Sequence, residues 1–496
     1  MTARILAAVL LLAACTTAST PTTATTTPST TAAPAPTSTD APCSGERCIL
    51  LRIDPDASWD DGVPVTAADF VHTFESAGEG PAFDPLYADV VSVEAVGEKE
   101  VLIVLDRIGA PFQRLFEVVL PAHDPDATSG DLAPDGDGVW SGDGVTVTAV
   151  PADGVRGVIQ ALRRGEADMA WLPGAPDWAV AELRDLGGFS TVVTPGPDWE
   201  MITFNLANPL LADAGIRAWV VSSLDRQALA DLTVGTVDPE ARPLLSAVGR
   251  LVFAAGSGRP EPVAVLPDRC RPGTDGVLVC DGTPLVLRWA TTAGDPWRVA
   301  MLERATADLG EAGIRVVPDL RLPADLFNSG FLGGDGWDVV AFSWEAPADP
   351  TSILDLYRCG GELNIGRLCS PDLDGKIEAA LRTVDDDERR ALIEEIDQEV
   401  LGHLVVIPLF RRPVVWAFQG PVADQGPHDG PFEVAAALGG EVRIAVTSMP
   451  EDPATLRALD PLTASLRRSL YRGAFRPTGD GGYAPDLIVD FEIVGG

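Results

Sequence analysis

Apolar and polar positions change periodicity several times along the chain. Residues 145–149 and 167–172 are short, mostly apolar runs typical of buried β-strands, and residues 155–164 between them repeat apolar positions at the spacing of an amphipathic helix. This order predicts a β-α-β unit. Such alternation is characteristic of α/β domains, which bind ligands beyond the ends of their strands.

The same alternation returns in the second half of the chain. Strands are predicted at 285–289, 314–317 and 338–342, and a helix is predicted at 297–312. Gly313 follows this helix, and glycine is the residue type that most easily adopts the left-handed conformation at a helix end. A second α/β unit is therefore expected.

Further elements are predicted outside these two units. Thr66 is a capping residue before a helix that runs to Phe74, and Ser370-Pro371 opens another helix in the order that a cap and a first turn prefer. The remaining predicted elements are strands at 49–53, 90–96, 101–105 and 404–410, helices at 216–224 and 386–401, and a helix opened by Asp225.

Composition indicates a folded protein with an acidic surface. Its 496 residues allow about three domains of roughly 150 residues, and 46% hydrophobic against 22% charged residues is ordinary for a globular protein. Lys and Arg total 36 against 73 Asp and Glu, which gives a formal net charge of −37. Because such a surface repels phosphate backbones, nucleic acid is not expected as a partner.

The first residues indicate export. The apolar run at 5–11 is shorter than the ~20 residues of a membrane-spanning helix and is typical of a signal peptide. Leu12-Ala13-Ala14-Cys15 resembles the bacterial lipobox, so we expect a signal peptide at 1–14 and a lipid on Cys15; the alternative is a buried cysteine in a first helix. Residues 15–42 are rich in Thr, Ala, Pro and Ser, which predicts a disordered tether.

Six further cysteines form three closely spaced couples. In an oxidising compartment, the nearest cysteines are the easiest to join, which predicts three local disulfides. A metal site is the alternative, but the four histidines are scattered and the cysteines lack CxxC spacing. The predicted bridges are Cys43–Cys48, Cys270–Cys280 and Cys359–Cys369, and neither a metal nor another cofactor is expected.

Several short motifs lie along nearly all of the chain beyond the tether: LRI at 51–53, WDDGVPVTAADF at 59–70, LRRGEAD at 162–168, FN at 204–205, GIRAW at 215–219, LDR at 224–226 and SPDLD at 370–374. In these residues and in their order, the chain resembles the extracellular solute-binding proteins of family 5, the oligopeptide, dipeptide and nickel class that delivers ligands to ABC importers.

One part of the family pattern is displaced. The family begins with a strand, a proline-rich loop, a helix and a strand that pairs with the Leu-Arg strand, and here the corresponding residues lie at 441–493. We therefore hypothesise a circular permutation, opened between Ile493 and Ile49 and fused near Gly439-Gly440. The alternative is a second copy broken off after its first strands.

The permutation makes two structural predictions. Residues 442–446 should lie in one sheet with 145–149. Residues 488–493 should run antiparallel to 49–53.

The resemblance implies an α/β protein with the two-lobed fold of periplasmic binding proteins (type II, cluster C), an extra small domain, and the family's N-terminal segment moved to the C-terminus. Two such lobes close on a ligand as a hinged pair. The expected domains are the first part of the small α/β domain at 43–125, lobe I at 126–265, lobe II at 266–410, and a return to lobe I and the small domain at 411–496.

The resemblance also implies ligand-binding residues in the cleft between the lobes. Aromatic walls suit varied apolar or planar ligands, and a few charges fix their orientation. Trp199 and Trp344 have the alternative of being core residues. The residues carried over from the family are Trp199, Glu200, Met201, Asn205, Trp344, Glu345, Asp349, Arg412, Trp416, Met449 and Asp452.

The loop after Trp344 departs from the family pattern. Oligopeptide binders of this family hold the ligand's α-ammonium with an Asp soon after this Trp, and the near positions here are Glu345-Ala346-Pro347. Glu345 or Asp349 would have to substitute for that Asp. This departure and the short loop at 121–144 weaken the case for a peptide ligand.

The implied function is capture of a small solute, oligopeptide-like or other, and its delivery to an ABC importer. The expected protein is a monomer and not an enzyme, lipid-anchored at the extracytoplasmic face beside the permease subunits. A ligand sensor for a membrane partner is one alternative, and a secreted hydrolase with two carboxylates is another. No Gly-x-Ser-x-Gly motif supports a hydrolase, but two nearby cleft carboxylates, one with a strongly raised pKa, would favour it.

Overall fold

The computed structural model describes most of the chain after residue 46. The described residues are 47–77, 87, 90–106, 112–238, 243–244, 246–247, 264–345, 350–420, 430–450, 452–454, 460–478 and 482–494. The predicted signal peptide, lipidated Cys15 and tether, together with Cys43 and Asp349, lie outside them. Within these ranges, no helix is long and apolar enough to span a membrane.

The described part contains nineteen strands and eleven α-helices. In chain order, the strands are β1 (Arg47–Ile53), β2 (Val90–Gly97), β3 (Glu100–Leu105), β4 (Ala133–Pro134), β5 (Val139–Gly142), β6 (Val145–Pro151), β7 (Met169–Pro173), β8 (Phe189–Phe204), β9 (Cys270–Pro272), β10 (Leu278–Cys280), β11 (Thr283–Pro284), β12 (Val286–Thr292), β13 (Arg315–Arg321), β14 (Val339–Glu345), β15 (Val406–Gln419), β16 (Gly440–Val446), β17 (Phe475–Pro477), β18 (Tyr483–Pro485) and β19 (Ile488–Val494). The helices are α1 (Ala67–Ala77), α2 (Gly154–Arg163), α3 (Asp177–Arg184), α4 (Ala214–Ser222), α5 (Arg226–Leu232), α6 (Pro296–Glu311), α7 (Pro323–Phe327), α8 (Pro371–Arg382), α9 (Asp386–His403), α10 (Pro431–Leu438) and α11 (Pro461–Leu470).

A mixed sheet of ten strands runs through both lobes, in the order β13-β12-β14-β8-β15-β7-β16-β6-β5-β4. Both predicted β-α-β units are present: α2 connects β6 to β7, and α6 connects β12 to β13. The strand β16 lies between β6 and β7 and is parallel to both. The end of the chain therefore supplies an interior strand of this sheet.

The pairings predicted from the displaced segment are confirmed. Val442 lies opposite Val147 in the parallel pairing of β16 with β6. In a separate four-stranded sheet of order β19-β1-β3-β2, Ile493 lies opposite Ile49 in an antiparallel ladder. Both ends of the 440–494 segment are thus integrated into sheets formed by earlier residues.

Three clusters of buried apolar side chains hold these layers together. The first core joins the four-stranded sheet to one face of the large sheet at its β4–β7 end. The second core covers the opposite face under α2, α3, α4 and α6. The third core lies against β14 and the adjoining part of β8, under α8 and α9. The first and third cores therefore belong to different lobes.

Two long strands connect the lobes. Residues 189–195 of β8 pair with 413–419 of β15 in the first lobe, while 199–203 pair with 406–411 and with β14 in the second. Bulges interrupt β15 between Pro408 and Phe410 and between Arg411 and Pro413. The sequence prediction missed β8 and ended the second strand at 410, because Pro195-Gly196-Pro197 and Pro413 are typical of turns.

Two of the predicted disulfides are present. Cys270 and Cys280 are joined across β9 and β10, where they lie opposite each other, and Cys359 and Cys369 are joined in the segment before α8. Cys48 is also disulfide-bonded. Its predicted partner, Cys43, lies outside the described residues.

Candidate functional site

The carboxyl ends of parallel strands from both lobes meet where β8 and β15 cross between them. On the first-lobe side, Gly174 follows β7 and lies close to Arg412. The Cβ of any larger residue at position 174 would be 3.6 Å from Arg412 Nε. On the second-lobe side, Asp295 follows β12 and Glu345 ends β14. Strand ends of this kind are where α/β proteins place ligands. We call this region, residues 195–200 and 410–413 with Asp295, Arg298 and Glu345, the junction.

The alternation of β8 sends charged and apolar side chains to opposite faces of the sheet. Asp198 and Glu200 share one face, and Trp199 lies on the other, in the third core. On the neighbouring strand β14, Glu345 lies opposite Asp198, and Ser343 lies opposite Glu200.

Glu200 is the centre of a buried ionic network. Its side chain is 1% exposed, and its Oε1 accepts hydrogen bonds from Arg298 Nη2 at 2.8 Å and Nε at 3.0 Å and from Arg412 Nη1. Arg412 Nη1 also donates to Asp295 Oδ2 at 2.8 Å. Arg298 uses its remaining donors on Thr292 Oγ1 and Ser343 Oγ. The charged groups of this network therefore have hydrogen-bond partners within the protein.

The start of α6 positions the second-lobe half of this network. Asp295 caps the helix by accepting hydrogen bonds from the backbone N–H groups of Trp297 and Arg298. Burial alone would raise the pKa of the Asp295 carboxyl, but the charges of Arg412 and Arg298 outweigh it and hold the pKa below its usual value. Burial likewise would lower the pKa of Arg412, but Glu200 and Asp295 keep it above its ordinary value.

Asp198 and Glu345 differ from this network because neither carboxylate has a hydrogen-bond or ion-pair partner within the described ranges. Burial raises the pKa of Asp198 to about 6, the charge of Glu345 adds to this, and Arg412 opposes it. Burial also raises the pKa of Glu345, although its side chain keeps contact with solvent and Arg468 of α11 opposes the shift. A carboxylate that is surrounded by protein on most sides but still reaches solvent is typical of a side chain that lines a cleft.

Arg411 lies beside this pair. Its Nη1 donates to the carbonyl oxygens of Gly196 and Pro197 at 3.0 and 3.1 Å. Burial lowers the pKa of Arg411 to about 10, against the effect of the Asp198 charge. Its bonds to the backbone hold the part of β8 that directly precedes Asp198.

The raised pKa of Asp198 predicts an unusual pH dependence of stability. Since Asp198 binds a proton more tightly in the folded state, its contribution to the free energy of unfolding should fall as pH rises from about 4 through 6. The groups that set this shift are Glu345, Glu200, Arg412, Arg298 and Arg411. The Asp198→Asn variant cannot titrate at this position, so this decrease in the free energy of unfolding is absent. The variant should be more stable than the parent by about 1–3 kcal/mol at pH 7 and equally stable near pH 4.

Urea unfolding of both proteins at a series of pH values measures this difference. The matched control is Asp275→Asn, since Arg315 and backbone N–H groups lower the pKa of the exposed Asp275 carboxyl and its loss should act in the opposite direction. Parallel stability profiles for Asp198→Asn and the parent would contradict the assignment.

Several residues predicted to bind ligand are buried. Trp199 and Met201 lie in the third core, and Trp416 lies in the first core, where its Nε1 donates to Thr194 Oγ1 at 3.1 Å. The Nδ2 of Asn205 donates to the carbonyl oxygens of residues 334 and 337, so Asn205 fixes the loop before β14. These four side chains have a structural role in this arrangement, and their contact with ligand stays a prediction.

The remaining predicted residues lie in the junction, next to it on β14, or on the loop after β16. Glu200 and Arg412 are in the ionic network, and Glu345 is in the carboxylate pair. Trp344 is partly exposed, and its Nε1 lacks a hydrogen-bond partner in the described part of the protein. Met449 and Asp452 are exposed on the loop after β16.

The sequence prediction missed Asp198, Asp295, Arg298 and Arg411. One signal was present: two carboxylates flank Trp199 at alternate positions of an otherwise apolar segment, which is unusual for a buried strand. Arg298 carried no such signal, because an arginine in the first turn of an amphipathic helix is normally exposed.

No family model matches the chain. The oligopeptide-binding protein OppA of Mycobacterium tuberculosis is 25% identical over 426 residues, which cover 75% of this chain and 71% of OppA. Among solved structures, the periplasmic EDTA-binding protein EppA has a TM-score of 0.61 at 17% identity, covering 75% of this chain and 80% of EppA. AppA of Bacillus subtilis, in complex with a nonapeptide, has a TM-score of 0.54 at 17% identity, covering 76% and 84%. The predicted two-lobed fold and the resemblance drawn from the motifs are confirmed.

Proposed function

We propose that this chain, a relative of the family-5 extracellular solute-binding proteins, captures a small solute between its two lobes and delivers it to an ABC importer. The observation that carries this proposal is the similarity to OppA over three quarters of the chain. The proteins it resembles are described as binding proteins for oligopeptides and for EDTA, and AppA holds a nonapeptide. We infer from this range that the ligand is a small solute with ionisable groups.

To capture a solute, the two lobes would close on it, with β8 and β15 as the connection between them. A ligand that contacts both lobes stabilises the closed arrangement in proportion to its preference for that state. The Glu200 network joins α6 of the second lobe to both connecting strands, so it forms a rigid base. Because its charges are already paired, it offers little to a ligand.

We infer that Asp198 and Glu345 receive a cationic group of the solute. They lie opposite each other on β8 and β14, and two like charges in that position are destabilising until a cation lies between them. Trp344 precedes Glu345 and lies opposite Trp199, so strand alternation sends its indole to the other face of β14, against the third core; a contact of Trp344 with the ligand stays a prediction. Met449 and Asp452, on the loop at the carboxyl end of β16, would contact the same ligand from the first lobe.

Binding of short peptides with a free or an acetylated N-terminus tests this function. A free α-ammonium should bind at least about tenfold more tightly than its acetylated form, because a charge-assisted hydrogen bond is lost with the charge. Glu345→Gln and Asp198→Asn should remove that difference, and titration calorimetry measures it. Glu303→Gln, on the exposed face of α6, is the matched control and should bind as the parent does.

The same carboxylate pair is the feature that bears on the hydrolase alternative, since burial raises the pKa of both carboxyls, that of Asp198 to about 6. A screen of chromogenic glycosides with the parent and with Asp198→Asn addresses this second function. We expect no turnover above background from either protein. Turnover by the parent that Asp198→Asn abolishes would replace the binding proposal.

We also propose the membrane attachment and the permutation as parts of this function. A lipid on Cys15 and the 15–42 tether would hold the monomer at the outer face of the membrane, beside the permease. The circular permutation is supported by the two confirmed strand pairings and by the two glycines where the original ends would be fused, Gly439 and Gly440, which have φ values of +69° and +75°. The proposed domain boundaries follow from the same correspondence.

A further inference from the structure

A pocket of about 340 Å³ lies between the lobes, away from the junction. One wall is formed by aromatic residues of the C-terminal segment, Phe475, Tyr483 and Phe491, with Gln113 beside them. The other wall is the corner between α8 and α9, residues 384–387, together with Arg390.

The two walls belong to different lobes. Val384 at the corner packs against the first core, while the helices on either side of it contribute Ile377, Ala380 and Ile393 to the third core. The corner is thus the place where the second lobe touches the small domain. A molecule in this pocket would contact both lobes at once.

The aromatic wall is rigid. Phe112, Phe475 and Phe491 contact one another edge to face, with ring centroids 5.3 to 5.9 Å apart. Phe475 is buried, but Phe491 and Tyr483 remain partly exposed and line the pocket. Aromatic faces are negative and attract organic cations that water solvates weakly.

The opposite wall is acidic. Asp385 caps α9 through the N–H groups of Asp387 and Glu388. Asp386 pairs with Arg389, and Asp387 pairs with Arg390 at 2.8 Å. Counting both arginines, three carboxylates stand against two guanidinium groups, and the carboxylate of Asp385 gives this wall its net negative charge.

Gln113 adds a hydrogen-bond acceptor. It is 7% exposed, and its Oε1 has no hydrogen-bond partner in the described part of the chain. A buried acceptor without a donor is costly, and a ligand N–H or O–H donor would remove that cost.

We propose that this pocket binds a small organic cation, an alkylated ammonium compound, between the aromatic wall and the acidic corner. The cation completes the contact between the lobes and stabilises their closed arrangement. This second site involves none of the junction residues and is independent of the solute proposed to bind there.

Titration with choline tests the proposal, and 3,3-dimethylbutan-1-ol serves as its uncharged isostere. We expect choline to bind with a dissociation constant of about 1 mM or tighter, and the isostere to bind at least about tenfold more weakly, because the cation–π and carboxylate attractions need the charge. Calorimetry or ligand-observed NMR measures both.

Two variants locate the binding. Phe491→Leu removes an aromatic face while keeping an apolar side chain, and the double variant D386N/D387N removes charge from the corner without altering the aromatic wall. Each should weaken choline binding by about fivefold or more, with thermal unfolding used to confirm that the variant is folded. Equal binding of the isostere, or binding that these variants keep and Glu345→Gln abolishes, would overturn the proposal.

Discussion

A chain that ends at Gly439 is expected not to reach the native fold. Removing residues 440–496 takes β16 from between β6 and β7 and takes β19 from the edge of the four-stranded sheet. It also removes Val442, Ile444 and Leu466 from the first core. Since each buried aliphatic side chain contributes roughly 1.5–3 kcal/mol and a folded protein is stable by only about 5–15 kcal/mol, the loss exceeds what the remainder can supply.

Near-ultraviolet circular dichroism and binding of a hydrophobic dye measure this loss. The matched control begins at Cys43 and keeps every described residue, so it should unfold cooperatively like the full chain. A stable, cooperative 1–439 protein would show that the C-terminal segment is a separate module.

The reordered chain tests the permutation itself. Residues 440–496 placed directly before 43–439 restore the proposed family order, and residues 495–496 and 43–46 then connect β19 to β1. Because Val494 already lies opposite Cys48, this connection is a hairpin that needs no rearrangement of either sheet. We expect the reordered protein to fold and to bind the same ligands. Failure to fold, with the parent order intact, would contradict the permutation.

Glu200→Gln is expected to cost about 3–5 kcal/mol of folding free energy. The reason is that Glu200 neutralises Arg298 and Arg412 in a largely buried site. The amide carries no charge, so it no longer offsets the hydration that both guanidinium groups lose on folding. Asp295 would remain as the nearest counter-charge to Arg412. Urea unfolding followed by fluorescence measures the loss.

Glu492→Gln is the control for this substitution. Glu492 pairs with Arg52 at 3.0 Å on the exposed side of the small sheet, and its loss should leave stability unchanged within error. The double variant E200Q/R412M should recover part of the stability that E200Q loses, since it also removes one of the uncompensated charges. Equal effects of Glu200→Gln and Glu492→Gln would show that the network is hydrated and energetically minor.

The local pattern of apolar and polar residues was sufficient to predict most of the helices and strands and their order along the chain. The helices α2, α6 and α9 and the strands β6, β12 and β14 were predicted because their apolar positions repeat at the period of the structure they form. The C-terminal segment was matched to the opening of the family pattern because the sequences of β16, its loop and α11 follow the order of that pattern. The permutation hypothesis then predicted the two pairings of residues 440–494, and both pairings are present.

The long connecting strands were not predictable in this way. Pro195-Gly196-Pro197 and Pro413 indicate turns, yet the chain continues as a strand through them, because β8 and β15 pair with each other on both sides of the interruption. Pairing between residues some two hundred positions apart outweighed the local preference.

For the candidate site, too, the sequence predicted some features and missed others. The sequence, through its motifs and cysteine spacing, was sufficient for the two-lobed fold and for the local disulfides at 270–280 and 359–369, and it named Glu200, Glu345 and Arg412 as candidates for one site. Only the tertiary structure decided which charged side chains form ion pairs and which carboxylates have no such partner among the described residues. Glu200 meets Arg298 across 98 residues and Arg412 across 212, whereas Asp198 meets another carboxylate. The free energy of a charge depends on its burial and on its neighbours, and both are set by distant strands that the local pattern does not encode.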